Sequence, residues 1–80
     1  MTAAQIAVYA ACRVAVPLDV RLQSQVNQRG EIEILATPPT WAARAYVIAP
    51  AGIEHCSGST LDVLASSIAT RLACKVGFLP

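Results

Sequence analysis

Residues 18–36 read LDVRLQSQVNQRGEIEILA, two alternating runs around a turn. Apolar and polar residues alternate from Leu18 to Val26, the period of a strand with one buried face. Asn27-Gln28-Arg29-Gly30 supplies turn chemistry, and alternation resumes from Glu31 to Ala36. The pattern predicts a β-hairpin. Its register follows from the need for apolar side chains to share one face. Val26 opposite Glu31 would mix the faces. Val26 opposite Ile32 does not, and it also sets Leu22 opposite Ala36. Asn27 then faces Glu31 across the loop Gln28-Arg29-Gly30. Gly30 falls at the left-handed position such a loop needs. The outer face of the hairpin carries Asp19, Arg21, Gln23, Gln25, Glu31, Glu33 and Leu35.

Downstream, Thr37-Pro38-Pro39-Thr40 interrupts the ladder, because proline donates no hydrogen bond. A third strand fits 43–49 (ARAYVIA), ended by Pro50 and Gly52. Its parity has two readings. With Arg44 in water, Tyr46 and Ile48 face outward and Ala45, Val47 and Ala49 face the core. The opposite parity buries Tyr46 and Ile48, but it also buries the charge of Arg44, which favours the first.

Both flanks read as helices. Upstream, the Ala-rich segment 3–15 follows Thr2 as N-cap and stops before Pro17. A strand over 6–16 is the rival, since Val8, Ala10, Cys12, Val14 and Val16 alternate. The Ala content favours the helix. Gln5 and Arg13 are its polar members. A helix apolar nearly all round is buried on more than one side, and a partner chain would cover the second. Downstream, Ser59-Thr60-Leu61-Asp62 has the form of a capping box. Leu61, Leu64, Ala65, Ile68, Leu72 and Val76 form a stripe at helical spacing, and Lys75 and Gly77 suit its end. The expected architecture is α+β: helix, three-stranded antiparallel sheet, helix (αβββα). It is a small two-layer sandwich with both helices on one sheet face, in a single domain spanning 1–80.

The chain has 80 residues, 55% of them apolar and 14% charged, with a formal net charge of +1. Fifteen of the apolar residues are Ala; Leu, Ile, Val and Phe together make 22. That is a marginal core for so short a chain. Low charge also weakens colloidal repulsion. Both facts favour a homodimer or another protein partner. The six cations are scattered, with no two adjacent, so the clustered basic surface of a phosphate-backbone binder is missing. Nucleic acid is therefore the lesser partner class, with Arg13, Arg21, Arg29 and Arg44 as its candidate contacts.

No cofactor or metal is implied. Cys12, Cys56 and Cys74 are odd in number and far apart, and a single His leaves a zinc site short of ligands. Such cysteines read as reduced thiols in a cytoplasmic protein. Residues 3–16 are too short to span a membrane and lack the basic start of a signal peptide.

Glu54-His55-Cys56 is the one cluster with chemical reach. Neighbours in an extended segment point to opposite sides, so His55 is badly placed to activate Cys56, and a loop with an exposed His is the simpler account. Glu31 and Glu33 share a strand face, where a solvated pair is expected rather than an acid–base couple. Residues 57–60 precede a helix N-terminus, but no phosphate-binding motif is present and Asp62 would repel an anion. No catalytic residue is assigned. Leu35, Arg44, Tyr46 and Ile48 on the outer sheet face, with Trp41 close in sequence, form the candidate partner-binding set. Trp, Tyr and Arg are favoured interface anchors.

The helix–three strands–helix order resembles the double-stranded RNA-binding domain. That resemblance would imply RNA contacts from lysines at the start of the last helix, but here Gly58-Ser59-Thr60-Leu61-Asp62 has none. Residues 46–68, YVIAPAGIEHCSGSTLDVLASSI, resemble a stretch of HicB-type antitoxins. The likeness covers under a third of the chain, with altered spacing between Pro50, Cys56 and Gly58 and only Asp62 at the acidic positions. It would imply one half of a toxin–antitoxin pair. The reading that the residues themselves favour is a small non-catalytic interaction protein. It would act through the outer sheet face as an inhibitor or adaptor capping a larger protein. Mobile-element inhibitors of host defence systems are proteins of that size.

Overall fold

The computed structural model describes residues 2–39 and 44–76. Helix α1 spans Ala3–Ala15, strands β1, β2 and β3 span Arg21–Val26, Ile32–Thr37 and Ala45–Ala49, and helix α2 spans Gly58–Lys75. A short 3-10 helix, Ala51–His55, joins β3 to α2. The sheet is antiparallel, in the order β1-β2-β3. Both helices pack on the sheet and on each other, giving the expected α+β arrangement.

The hairpin forms in the predicted register. Val26 pairs with Ile32 and Leu22 with Ala36. The Asn27 N–H donates to the Glu31 carbonyl at 2.9 Å, and the Gly30 N–H donates to the Asn27 carbonyl at 3.0 Å. Gly30 has φ +78°, a conformation that costs an L side chain strain. Asn27 holds the turn from its side chain as well. Its Oδ1 accepts from the Arg29 and Glu31 N–H groups at 2.9 and 3.0 Å.

The core is one cluster. Ile32 and Ile34 of β2 and Val47 of β3 point inward, to Val8 and Cys12 of α1 and Ile68 and Leu72 of α2. Small residues set the spacing between the layers. Ala4, Ala65, Ala69 and Ala73 are buried, which lets α1 and α2 approach closely. Thr2 caps α1 in a full capping box. Its Oγ1 accepts from the Gln5 N–H at 3.2 Å, and its own N–H donates to Gln5 Oε1 at 3.0 Å. Thr2 Oγ1 also donates to Glu54 Oε1 at 3.1 Å, tying the start of α1 to the 3-10 helix.

Four expectations are corrected. β1 begins at Arg21, not Leu18: residues 18–20 form a turn closed by the Val20 N–H on the Pro17 carbonyl, and Leu18 is 89% exposed. Arg13 stabilises that turn. Its guanidinium donates to the Val20 carbonyl at 2.7 Å and to the Pro17 carbonyl. β3 is shorter than expected, and Arg44 lies just before it. The capping box at Ser59 does not form. α2 starts at Gly58 with Ser57 at the N-cap position and no side-chain cap bond, so Ser59 and Asp62 lie inside the helix. Leu64 is more than a third exposed, because the buried face of α2 turns toward Ala69 and Ala73 instead. Gly77 lies outside the described residues.

Candidate functional site

Among the described residues, no helix covers the outer sheet face. Ala45, Val47 and Ala49 are buried, while Tyr46 is 55% and Ile48 36% exposed. Strand β3 therefore has the parity that keeps Arg44 in water. Tyr46 is paired with Leu35 of β2, and Ile48 with Glu33. Leu35 is in turn paired with Gln23 of β1, and Glu33 with Gln25. The result is an apolar patch of Leu35, Tyr46 and Ile48 flanked by polar side chains. Arg44 borders it just ahead of β3 and is exposed. Trp41, the fifth member of the predicted set, lies outside the described residues.

The hairpin end of this face is ordered by amide–carboxylate bonds. Asn27 Nδ2 donates to Glu31 Oε1 and to Glu33 Oε1, both at 3.0 Å. Gln25 Nε2 donates to Glu33 Oε2, also at 3.0 Å. These donors hold the Glu33 carboxyl below its ordinary pKa, Gln25 first and Asn27 second. A carboxylate held by neutral amides is a fixed acceptor, not a proton donor near neutral pH. A shallow concavity of about 380 Å³ opens here, lined by Asn27, Arg29, Glu33 and Ile48 among others. Ile48 joins it to the apolar patch.

At the other end of the patch, Lys75 of α2 reaches the edge of β3. Its Nζ donates to the Tyr46 carbonyl at 3.0 Å and lies 5.4 Å from the centre of the Tyr46 ring. Sequence reasoning assigned Lys75 only to the end of α2. The contact spans 29 positions, so no local pattern signals it.

A second apolar surface lies on the helix layer. Ile6 and Val14 of α1 are 56% and 88% exposed, on the side away from the sheet. Beside Val14 runs a groove of about 500 Å³ between the helices, lined by small residues including Ala10, Ala15, Ser66 and Ala69. This is the second side of α1 that its all-round apolarity anticipated.

The Cys56 thiol donates to the Gly52 carbonyl at 3.8 Å, and His55 is exposed at the end of the 3-10 helix. Burial pushes the Cys12 thiol up to about 11, which keeps it protonated and inert at neutral pH. Of the four arginines considered for nucleic acid, Arg13 is engaged with the Pro17 and Val20 carbonyls, and Arg29 sits in the hairpin loop. Arg21 and Arg44 remain exposed at the strand ends away from that loop. The four do not form one basic surface. Among the described residues no group of three or more His, Cys, Asp or Glu could hold a metal ion, and no helix is long and apolar enough to cross a membrane.

Comparison of the chain with known protein families, with characterised proteins and with solved structures gives no match.

Proposed function

We propose that the chain is a small non-catalytic protein–protein interaction module. It works in the cytoplasm as a dimer, and it caps a larger protein as an inhibitor or adaptor through the outer sheet face. The observation that carries this reading is the Leu35–Tyr46–Ile48 patch on the uncovered layer, with the exposed Arg44 beside it. Tyr46 within the patch and Arg44 at its border are of the residue types on which binding energy concentrates. Burying this patch supplies a driving force that the Ala-rich interior lacks. The polar flank of Gln23, Gln25 and Glu33 suits the rim of an interface.

The test is Leu35→Arg. Leu35 sits at the centre of the sheet with its side chain on the outer face, so the substitution leaves the backbone ladder in place. The expected result is loss of partner binding with an unchanged circular dichroism spectrum and melting within a few degrees of the parent. Retained binding by a folded variant refutes the reading.

A further inference from the structure

Among the described residues no strand pairs with the outer edge of β3, and the hydrogen-bonding pattern of that edge can be derived strand by strand. The Asn27–Glu31 pair is hydrogen-bonded. Hydrogen-bonded and non-hydrogen-bonded pairs alternate along an antiparallel ladder. Gln25–Glu33 and Gln23–Leu35 are therefore hydrogen-bonded, and the backbone groups of Glu33 and Leu35 point toward β1. The Glu33–Ile48 and Leu35–Tyr46 pairs across β2 and β3 are then of the other kind. The N–H and C=O groups of Tyr46 and Ile48 consequently point away from β2, out of the sheet. The Lys75 ammonium meets the Tyr46 carbonyl from that outer side, as this assignment requires. Lys75 occupies one lone pair of that oxygen, and the second remains open.

We infer that a second copy of this chain adds antiparallel to β3 at this edge, with the two-fold axis beside Val47. The outward groups lie at positions 46 and 48, symmetric about residue 47, whose own backbone groups point inward to β2. In that register each Tyr46 exchanges hydrogen bonds with the partner's Ile48, so all the outward donors and acceptors are satisfied by the copy itself. The side chains agree with the backbone. Each Tyr46 ring meets the partner's Ile48 on the outer face, an aromatic–β-branched pair of the favourable kind. Ala45 meets the partner's Ala49, so the paired strand positions oppose no like charges, and the Lys75 ammonium of each copy lies at the Tyr46 end of the seam. An unrelated extended peptide could use the same backbone groups; what favours a second copy is that Tyr46 then opposes the partner's Ile48 and Ala45 opposes the partner's Ala49 on both sides of the axis. The three-stranded sheet doubles, and the two outer faces become one continuous surface. The inference rests on the dimer in the proposed function and fixes its seam.

A seam of one short strand suits a transient dimer, so mass is read by sedimentation equilibrium across a concentration series. The critical variant is Ile48→Pro. It removes an N–H that points out of the sheet, and proline is tolerated on an edge strand for that reason. Ile48→Val keeps both the N–H and the β-branched side chain. The expected result is a parent and an Ile48→Val protein that dimerise, with an Ile48→Pro protein that is folded and at least tenfold weaker in self-association. Amide hydrogen exchange of the parent gives a reading independent of any variant: the Tyr46 and Ile48 amides gain protection as concentration rises. A parent that stays a single chain throughout overturns the inference. So does a dimer whose Tyr46 and Ile48 amides exchange as open groups. Either outcome leaves the Leu35→Arg test of the outer face standing on its own, and failure of that test leaves the edge reading standing.

Discussion

Tyr46 stands directly across the sheet from Leu35, in a pair that exchanges no backbone hydrogen bonds. Such pairs bring side chains closest together, so an exposed aromatic ring and a half-buried Leu form one apolar surface. The same pairing turns the backbone of Tyr46 toward the open edge. One residue thus contributes its ring to a face and its peptide groups to an edge, and the two proposed contacts meet there.

Arg13 is expected to be a stability residue. Its guanidinium satisfies two carbonyls of the turn between α1 and β1. Arg13→Met keeps the aliphatic stem and removes the donors, which costs about 2 kcal/mol of unfolding free energy for charged hydrogen bonds of this type. Arg13→Lys recovers only part, because an ammonium does not present the guanidinium fork. Urea denaturation measures both.

Cys12 should resist thiol reagents in the native protein. It is fully buried, and burial raises its pKa to about 11, so little thiolate forms at pH 8. Alkylation followed by mass spectrometry is expected to leave Cys12 unlabelled until denaturant is added, while the half-buried Cys56 reacts in the folded state. The linkage has a definite sign. A thiol with a raised folded pKa contributes stability below its unfolded pKa, and that contribution is lost as pH rises through about 11.

Glu33 carries the opposite dependence. Hydrogen bonds from Gln25 and Asn27 lower its pKa, so its contribution is present above the unfolded carboxyl value and is lost as pH falls through the folded one. Carbon-detected titration of the side chain should place Glu33 below the ordinary carboxylate range. Gln25→Ala should move it upward, toward the ordinary range.

The register and turn of the hairpin were legible because three local signals agreed: alternation, turn chemistry and the glycine required at position 30. The parity of β3 was legible because one charge, Arg44, made the other choice costly. Thr2 could be read as a cap because a polar residue preceded an unbroken Ala-rich run. The start of β1 was misread for the opposite reason. Leu18 continues the alternation, but Arg13 grips the Pro17 and Val20 carbonyls from seven and fewer positions away and folds residues 18–20 into a turn. A pattern of hydrophobicity cannot register a side chain that captures backbone oxygens. The start of α2 was misplaced because Ser59 and Asp62 carry a capping signature that the chain does not use. The outward placement of Leu35, Tyr46 and Ile48 was legible residue by residue, since strand parity alone assigns it. The Lys75 contact with Tyr46 was not, because it depends on where α2 ends relative to β3. The helix-layer surface at Ile6 and Val14 was anticipated only as a surplus of apolarity.

The two apolar surfaces make the central claim directly testable. A photo-crosslinking amino acid placed at position 35 reports on the outer sheet face, and one at position 14 reports on the helix layer, where Val14 is 88% exposed. The measurement is the mass of the adducts formed in cells of the native host. The account predicts adducts to a larger protein from position 35, their loss when Tyr46→Arg is added, and none from position 14. Adducts from position 14 alone would contradict it, and would move the interaction to the other side of the molecule.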